Sequence, residues 1–132
     1  MFNTVWNFSA RIIFFVLQLV VPKVANSIVV TTHRGHIFGD NSKSFFIHAQ
    51  SISDLKVYLL TKNKTLFDTL NSEFPDKVLY AWSFRGLLKY IQAKIVVVTH
   101  GPGDVHPFYP VQTGKTFINL WHGTPMKKTN YL

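Results

Sequence analysis

The chain is predicted to fold as an α/β domain on a mainly parallel sheet of about five strands, because strand-type runs alternate with single helix-length segments. A second observation agrees. The strand-type runs are continuously apolar rather than alternating, as in Lys94-Ile95-Val96-Val97-Val98-Thr99. Such runs suit strands covered by helices on both faces. With 132 residues there is enough chain for one domain with a real core.

The elements follow in order. Ser27-Ile28-Val29-Val30-Thr31-Thr32 reads as the first buried strand, and His33 to Asp40 as a loop containing Gly35 and Gly39. Asn41 or Ser42 is placed to cap a helix reaching about Ile52, with Phe45, Phe46 and Ala49 on its apolar face. Lys56 to Thr61 is the second strand. Lys64 to Glu73 is a helix with Leu66, Phe67 and Leu70 inward, stopped by Pro75. Lys77 to Ala81 is a short third strand. Ser83 is placed to cap a helix from Phe84 to Gln92, burying Leu87, Leu88 and Ile91. Lys94 to Thr99 is the strongest strand. Residues 100–115 form a loop rich in Gly, Pro and His, long for its position, and Thr116 to Trp121 is the fifth strand.

Residues 1–25 stand apart from the domain predicted over 26–132. Met1 to Ala10 carry no side-chain charge, Arg11 interrupts, and Ile12 to Pro22 are again uncharged. The apolar run Ile12 to Val21 is shorter than the roughly 20 residues a bilayer span requires. The expectation is a helix lying in or against a membrane. A helix packed on the sheet, a signal peptide and a tilted span with Arg11 inside are the alternatives.

Composition narrows the partners. A 47% hydrophobic chain with 12 Phe, 5 Tyr and 3 Trp excludes disorder. Fourteen Lys and Arg against 6 Asp and Glu give a net charge of +8, which suits phosphorylated substrates, nucleic acid or an anionic membrane surface. The absence of cysteine excludes disulfides and thiolate metal sites.

The segment richest in chemistry is Phe117-Ile118-Asn119-Leu120-Trp121-His122-Gly123-Thr124-Pro125-Met126-Lys127-Lys128. It reads as a strand, a His-bearing turn and a helix start. Gly123 permits a sharp turn or close approach, Thr124 suits an N-cap and Pro125 the first helical position. In open α/β sheets ligands bind at that place, outside the carboxyl ends of the strands. A helix N-terminus near Lys127 and Lys128 favours phosphate. A hydrogen-bonded structural histidine and a solvated helix start are the plainer readings of the same residues.

Trp121-His122-Gly123-Thr124-Pro125-Met126-Lys127 resembles the W-H-G-T-P-[LM]-K signature of the CDP-glycerol glycerophosphotransferases, the primases and polymerases of wall teichoic acid synthesis. Ile28 to Thr32 followed by Gly35, Phe38, Asp40-Asn41 and Lys43 resembles that family's first strand and its G-x-x-F-x-D-N-x-K turn. Tyr90-Ile91-Gln92-Ala93-Lys94 resembles its Y-x-x-A-K segment. The resemblance implies a Rossmann-like N-terminal half of a GT-B type enzyme. It also implies transfer of glycerol phosphate, or ribitol phosphate in related enzymes, from its CDP ester to a hydroxyl of a lipid-linked acceptor.

On that reading His122 is the general base. Gly123, Thr124, Lys127 and Lys128 meet phosphate charge, and Gly35 and Asn41 face the acceptor, although for Asn41 helix capping is the first expectation. No cofactor is implied. The protein would work peripherally at the cytoplasmic face of the cell membrane. The nucleotide would be held by a C-terminal half, so this chain, which stops four residues beyond Lys128, is expected to be inactive alone.

Two other functions compete: a non-catalytic remnant that binds acceptor or membrane, and a basic α/β domain binding nucleotide or nucleic acid. Nucleic acid is disfavoured because the aromatics fall inside predicted helices and strands. His33, His36, His48, His100 and His106 lack any familiar metal-ligand spacing.

Overall fold

The computed structural model describes residues 2–105 and 114–121. Helix α1 (Phe2–Val20) leads into β1 (Val24–Thr31), and then α2 (Asp40–Gln50), β2 (Lys56–Thr61), α3 (Lys64–Glu73) and β3 (Val78–Tyr80) follow. Next come α4 (Phe84–Gln92), β4 (Ala93–Val98), a 3-10 turn over Pro102–Asp104, and β5 (Thr116–Asn119). All five strands are parallel, in the order β3-β2-β1-β4-β5. This is the Rossmann-like sheet.

The sequence of faces explains that order. Helices α2 and α3 carry the chain from β1 through β2 to β3. A right-handed crossover puts both on one face. Helix α4 then returns the chain past β1 to β4, and lies on the other face. The side chains of β1 alternate accordingly. Ile28 and Val30 join Phe46, Ala49 and Leu70 on the α2/α3 side, and Val29 joins Tyr90 and Ile91 on the α4 side. Phe46 is fully buried, with the Phe38 and Phe74 rings edge-on at 6.0 and 5.4 Å. Both faces are covered, as the continuously apolar strands required.

Local signals set most boundaries. Asn63 caps α3 by accepting from the Leu66 amide, and Ser83 caps α4 by accepting from Gly86. The α2 cap differs from expectation. The helix begins at Asp40 behind Gly39, which offers no side-chain cap, and neither Asn41 nor Ser42 fills that role. Ser42 Oγ donates to the Gly39 carbonyl, and the Asn41 amide is drawn to β5 instead. In α4 the fully buried positions are Gly86, Tyr90 and Ile91, with Leu87 and Leu88 half-buried. Strand β1 begins at Val24, upstream of the expected start.

Helix α1 rests on α4 through a narrow stripe. Phe14 stacks on Tyr90 with centroids 6.0 Å apart, and Gln18 is also buried. Phe8, Ile12, Ile13, Val16, Leu19 and Val20 remain exposed. No described helix is long and apolar enough to cross a membrane.

Where α1 and α4 end, at the amino edge of the sheet, two lysines hold the carbonyls that the helices leave over. Lys115 Nζ donates to the carbonyls of Tyr90, Ile91 and Ala93, and Lys23 Nζ to those of Gln18 and Ile91. Burial, and then the charge of Lys23 beside it, pushes the Lys115 ammonium down to about 7. The folded chain therefore binds fewer protons than the unfolded chain between about pH 7 and the ordinary lysine value of 10.5, and its stability rises with pH across that window. Thermal melts should show Tm climbing from pH 7 to pH 9, with the climb reduced in Lys115→Met. An equal climb in that variant would contradict the assignment.

Candidate functional site

The order β3-β2-β1-β4-β5 makes β1 and β4 neighbours whose connections leave in opposite directions. The crevice at their carboxyl ends is where doubly wound sheets bind ligands. Three chain segments meet there: the turn after β1, the turn after β4 and the exit of β5.

The turn after β1 is tight. The His33 and Ile37 backbones pair with each other, and the His36 amide donates to the His33 carbonyl at 3.0 Å. Between them Arg34 and Gly35 take positive φ angles of 51° and 82°. Two successive left-handed residues are the requirement of a type I′ turn. Gly35 fits it freely, whereas a side chain at Arg34 costs about 1–2 kcal/mol. A Cβ on Gly35 would collide with the Lys62 side chain and stand 2.9 Å from the Asp104 carbonyl. The Gly35 carbonyl is held by the Lys62 amide at 2.6 Å and Thr61 Oγ1 at 3.1 Å. Gly35 is thus buried, and the close approach it allows is by the protein's own β2 and β4 turns.

The turn after β4 is organised by one carboxylate. Asp104 Oδ2 accepts from the Thr99 amide at 2.8 Å, from the Thr99 hydroxyl at 3.0 Å and from the His100 amide at 2.9 Å. Asp104 is buried, so these three donors supply what water would otherwise provide. The His100 ring is held from both sides: Arg34 Nε donates to Nε2 at 3.3 Å, and Nδ1 lies 3.0 Å from Thr99 Oγ1. The Thr99 hydroxyl in turn donates to Asp104, so ring, hydroxyl and carboxylate form one chain. His33 meets His100 edge-on at 4.3 Å, and its Nδ1 lies 3.7 Å from Asp40 Oδ2. Lys62 Nζ donates to the Gly103 carbonyl at 2.6 Å. Burial holds its pKa below the ordinary lysine value, and the charge of Asp104 opposes that fall.

The exit of β5 is tied into the same edge. The Leu120 amide donates to the Val98 carbonyl at 2.9 Å, and the Trp121 amide to Asn119 Oδ1 at 2.9 Å. Asn41 Nδ2 donates to the carbonyls of Leu120 and Trp121, each at 3.1 Å. Trp121 takes a φ of 57° and exposes its indole. His122, Gly123, Thr124, Lys127 and Lys128 lie outside the described residues, as does His106. Of the other sequence candidates, the structure brings Asn41 to β5 and buries Gly35 in the neighbouring turn.

Sequence reasoning passed over Asp104, Thr99, Arg34 and Lys62. Asp104 had a signal: an acidic residue closing Gly101-Pro102-Gly103 just after a strand end. Among the described residues no group of three or more His, Asp or Glu is arranged to hold a metal ion.

These features define a doubly wound, Rossmann-like α/β domain whose polar side chains collect at the carboxyl-edge crevice beside β1 and β4. The family model described as CDP-Glycerol:Poly(glycerophosphate) glycerophosphotransferase matches residues 13–131, and the chain belongs to that family. Neither curated proteins nor solved structures give a match. The matched span takes in all five strands and the Trp-His-Gly-Thr-Pro signature.

Proposed function

We propose that this chain forms the acceptor-side half of a CDP-glycerol glycerophosphotransferase, with His122 as the general base. The observation that supports it best is the attachment of Asn41 to the carbonyls of Leu120 and Trp121. Those bonds fix the backbone immediately before His122 to the edge where ligands of such sheets bind.

The chemistry is a phosphoryl displacement. The acceptor hydroxyl attacks the glycerol-bearing phosphorus of CDP-glycerol. A new O–P bond forms, the bond to the bridging oxygen breaks, CMP leaves, and the hydroxyl proton passes to His122. Histidine suits the role because its ordinary pKa, about 6.5, lies near working pH. Amides at Gly123 and Thr124, with Lys127 and Lys128, neutralise charge on the transferring phosphate. In this reading the nucleotide is held by a second half of GT-B type, which forms the facing wall of the cleft.

A second feature bears on where the reaction happens. The exposed apolar residues of α1, on a chain of net charge +8, suit the interface of an anionic bilayer that carries a lipid-linked acceptor.

Two measurements test this. In the complete enzyme, release of labelled CMP from CDP-glycerol on a lipid-linked acceptor should fall about 10²- to 10⁴-fold in His122→Ala. A near-normal rate would remove His122 from the base role. The chain should sediment with phosphatidylglycerol vesicles, and Ile13→Asp with Val16→Asp should release it. Equal sedimentation of parent and variant would remove α1 from the membrane contact.

A further inference from the structure

We propose that Arg34 is a phosphate-binding residue, its guanidinium aimed by His100 and its terminal nitrogens left open to a phosphate group of the acceptor. Four observations converge on it. Arg34 is held at a φ of 51°, a conformation that disfavours any residue with a Cβ and that Gly or Asn would adopt more easily. The turn sets that backbone conformation, so an arginine kept there at a cost of about 1–2 kcal/mol points to a use for its side chain.

Second, the only hydrogen bond of its side chain among the described residues is from Nε to His100 Nε2 at 3.3 Å. The paired terminal nitrogens that match a phosphate edge therefore face solvent. Third, the aiming group is itself fixed: His100 is backed by Thr99, and Thr99 by the buried Asp104. Such backing lowers the entropy lost when a ligand binds. Fourth, Thr32 at the end of β1 buries a hydroxyl with no hydrogen-bond partner among the described residues, two positions from Arg34.

The nearby carboxylates do not compete for the guanidinium. Asp104 is occupied by Thr99 and His100, and Asp40 lies beside His33. The place is the β1–β4 crevice, on the same edge as the β5 exit that leads to His122. A poly(glycerol phosphate) acceptor carries a phosphodiester one glycerol unit behind its terminal hydroxyl. Arg34 would hold that phosphate while the hydroxyl reaches the base. The inference rests on the proposed function for the identity of the acceptor, but the phosphate chemistry stands on Arg34 itself.

Isothermal titration of the chain with inorganic phosphate and with glycerophosphoglycerol tests it, using Arg34→Asn and Arg34→Lys. Asn accepts the left-handed turn, so Arg34→Asn should melt at the parent temperature or above it while binding glycerophosphoglycerol at least about tenfold more weakly. Arg34→Lys, which keeps the charge and loses the fork, should fall between the two. Affinity within twofold of the parent in Arg34→Asn would overturn the proposal, as would a lowered Tm with binding intact. Binding of inorganic phosphate but not of the diester would overturn the assignment to the acceptor. Loss of binding in Arg34→Asn would stand even if CDP-glycerol transfer were never observed. Conversely, transfer that depends on His122 but not on Arg34 would remove this residue and leave the family reaction in place.

Discussion

The pairing of β1 with β4 is the constraint on which the rest depends. The strands are far apart in sequence, yet Ile28, Val29 and Val30 lie beside Ile95, Val96 and Val97 in parallel register. Closing that pair orders the whole stretch of α2, β2, α3, β3 and α4 between them, at a large cost in chain entropy. Burial on both faces offsets it, since the central residues of both strands are almost entirely inaccessible. Once β1 and β4 are adjacent, the chain must leave them in opposite directions, and the crevice at their carboxyl ends follows from topology.

What fills the crevice is a set of backbone anchors made by side chains. Asp104 fixes the turn after β4, Asn41 fixes the exit of β5, and Thr61 with Lys62 fixes the turn after β1. The Asp104 anchor closes its own turn, whereas Asn41 and the Thr61–Lys62 pair join segments distant in the chain. The edge is consequently held as one piece, which suits the group-transfer site proposed for it, because reacting groups misplaced by about 1 Å lose much of their rate. The amino edge shows the contrast. There Lys23 and Lys115 spend their charge on helix carbonyls and are depressed by burial, so that cluster stabilises helix ends.

Much of this was legible in the sequence. Lys56 to Thr61, Lys64 to Glu73 and Phe84 to Gln92 fall where periodicity and capping residues put them, because those signals are local. The Trp-His-Gly-Thr-Pro signature was readable for the same reason: its residues are contiguous. The site's supports were not. Asn41 reads as a helix cap until β5 is brought beside it, and then two carbonyls across the sheet edge claim its amide. Asp104, Thr99, His100 and Arg34 form one chain of hydrogen bonds only after β1 and β4 pair. The strain at Arg34 lies in φ, which a sequence does not display.

The central claim is that the anionic ligand of this domain binds at the carboxyl edge, beside β1 and β4. An amide-resolved NMR titration of the chain with glycerol 3-phosphate tests it most directly, because basic groups stand at both edges. The account predicts shifts concentrated in His33 to Asn41, Thr99 to Asp104 and Asn119 to Trp121, with Lys23, Lys94 and Lys115 unmoved. Shifts centred on Lys23, Lys94 and Lys115, or along α1, would contradict it.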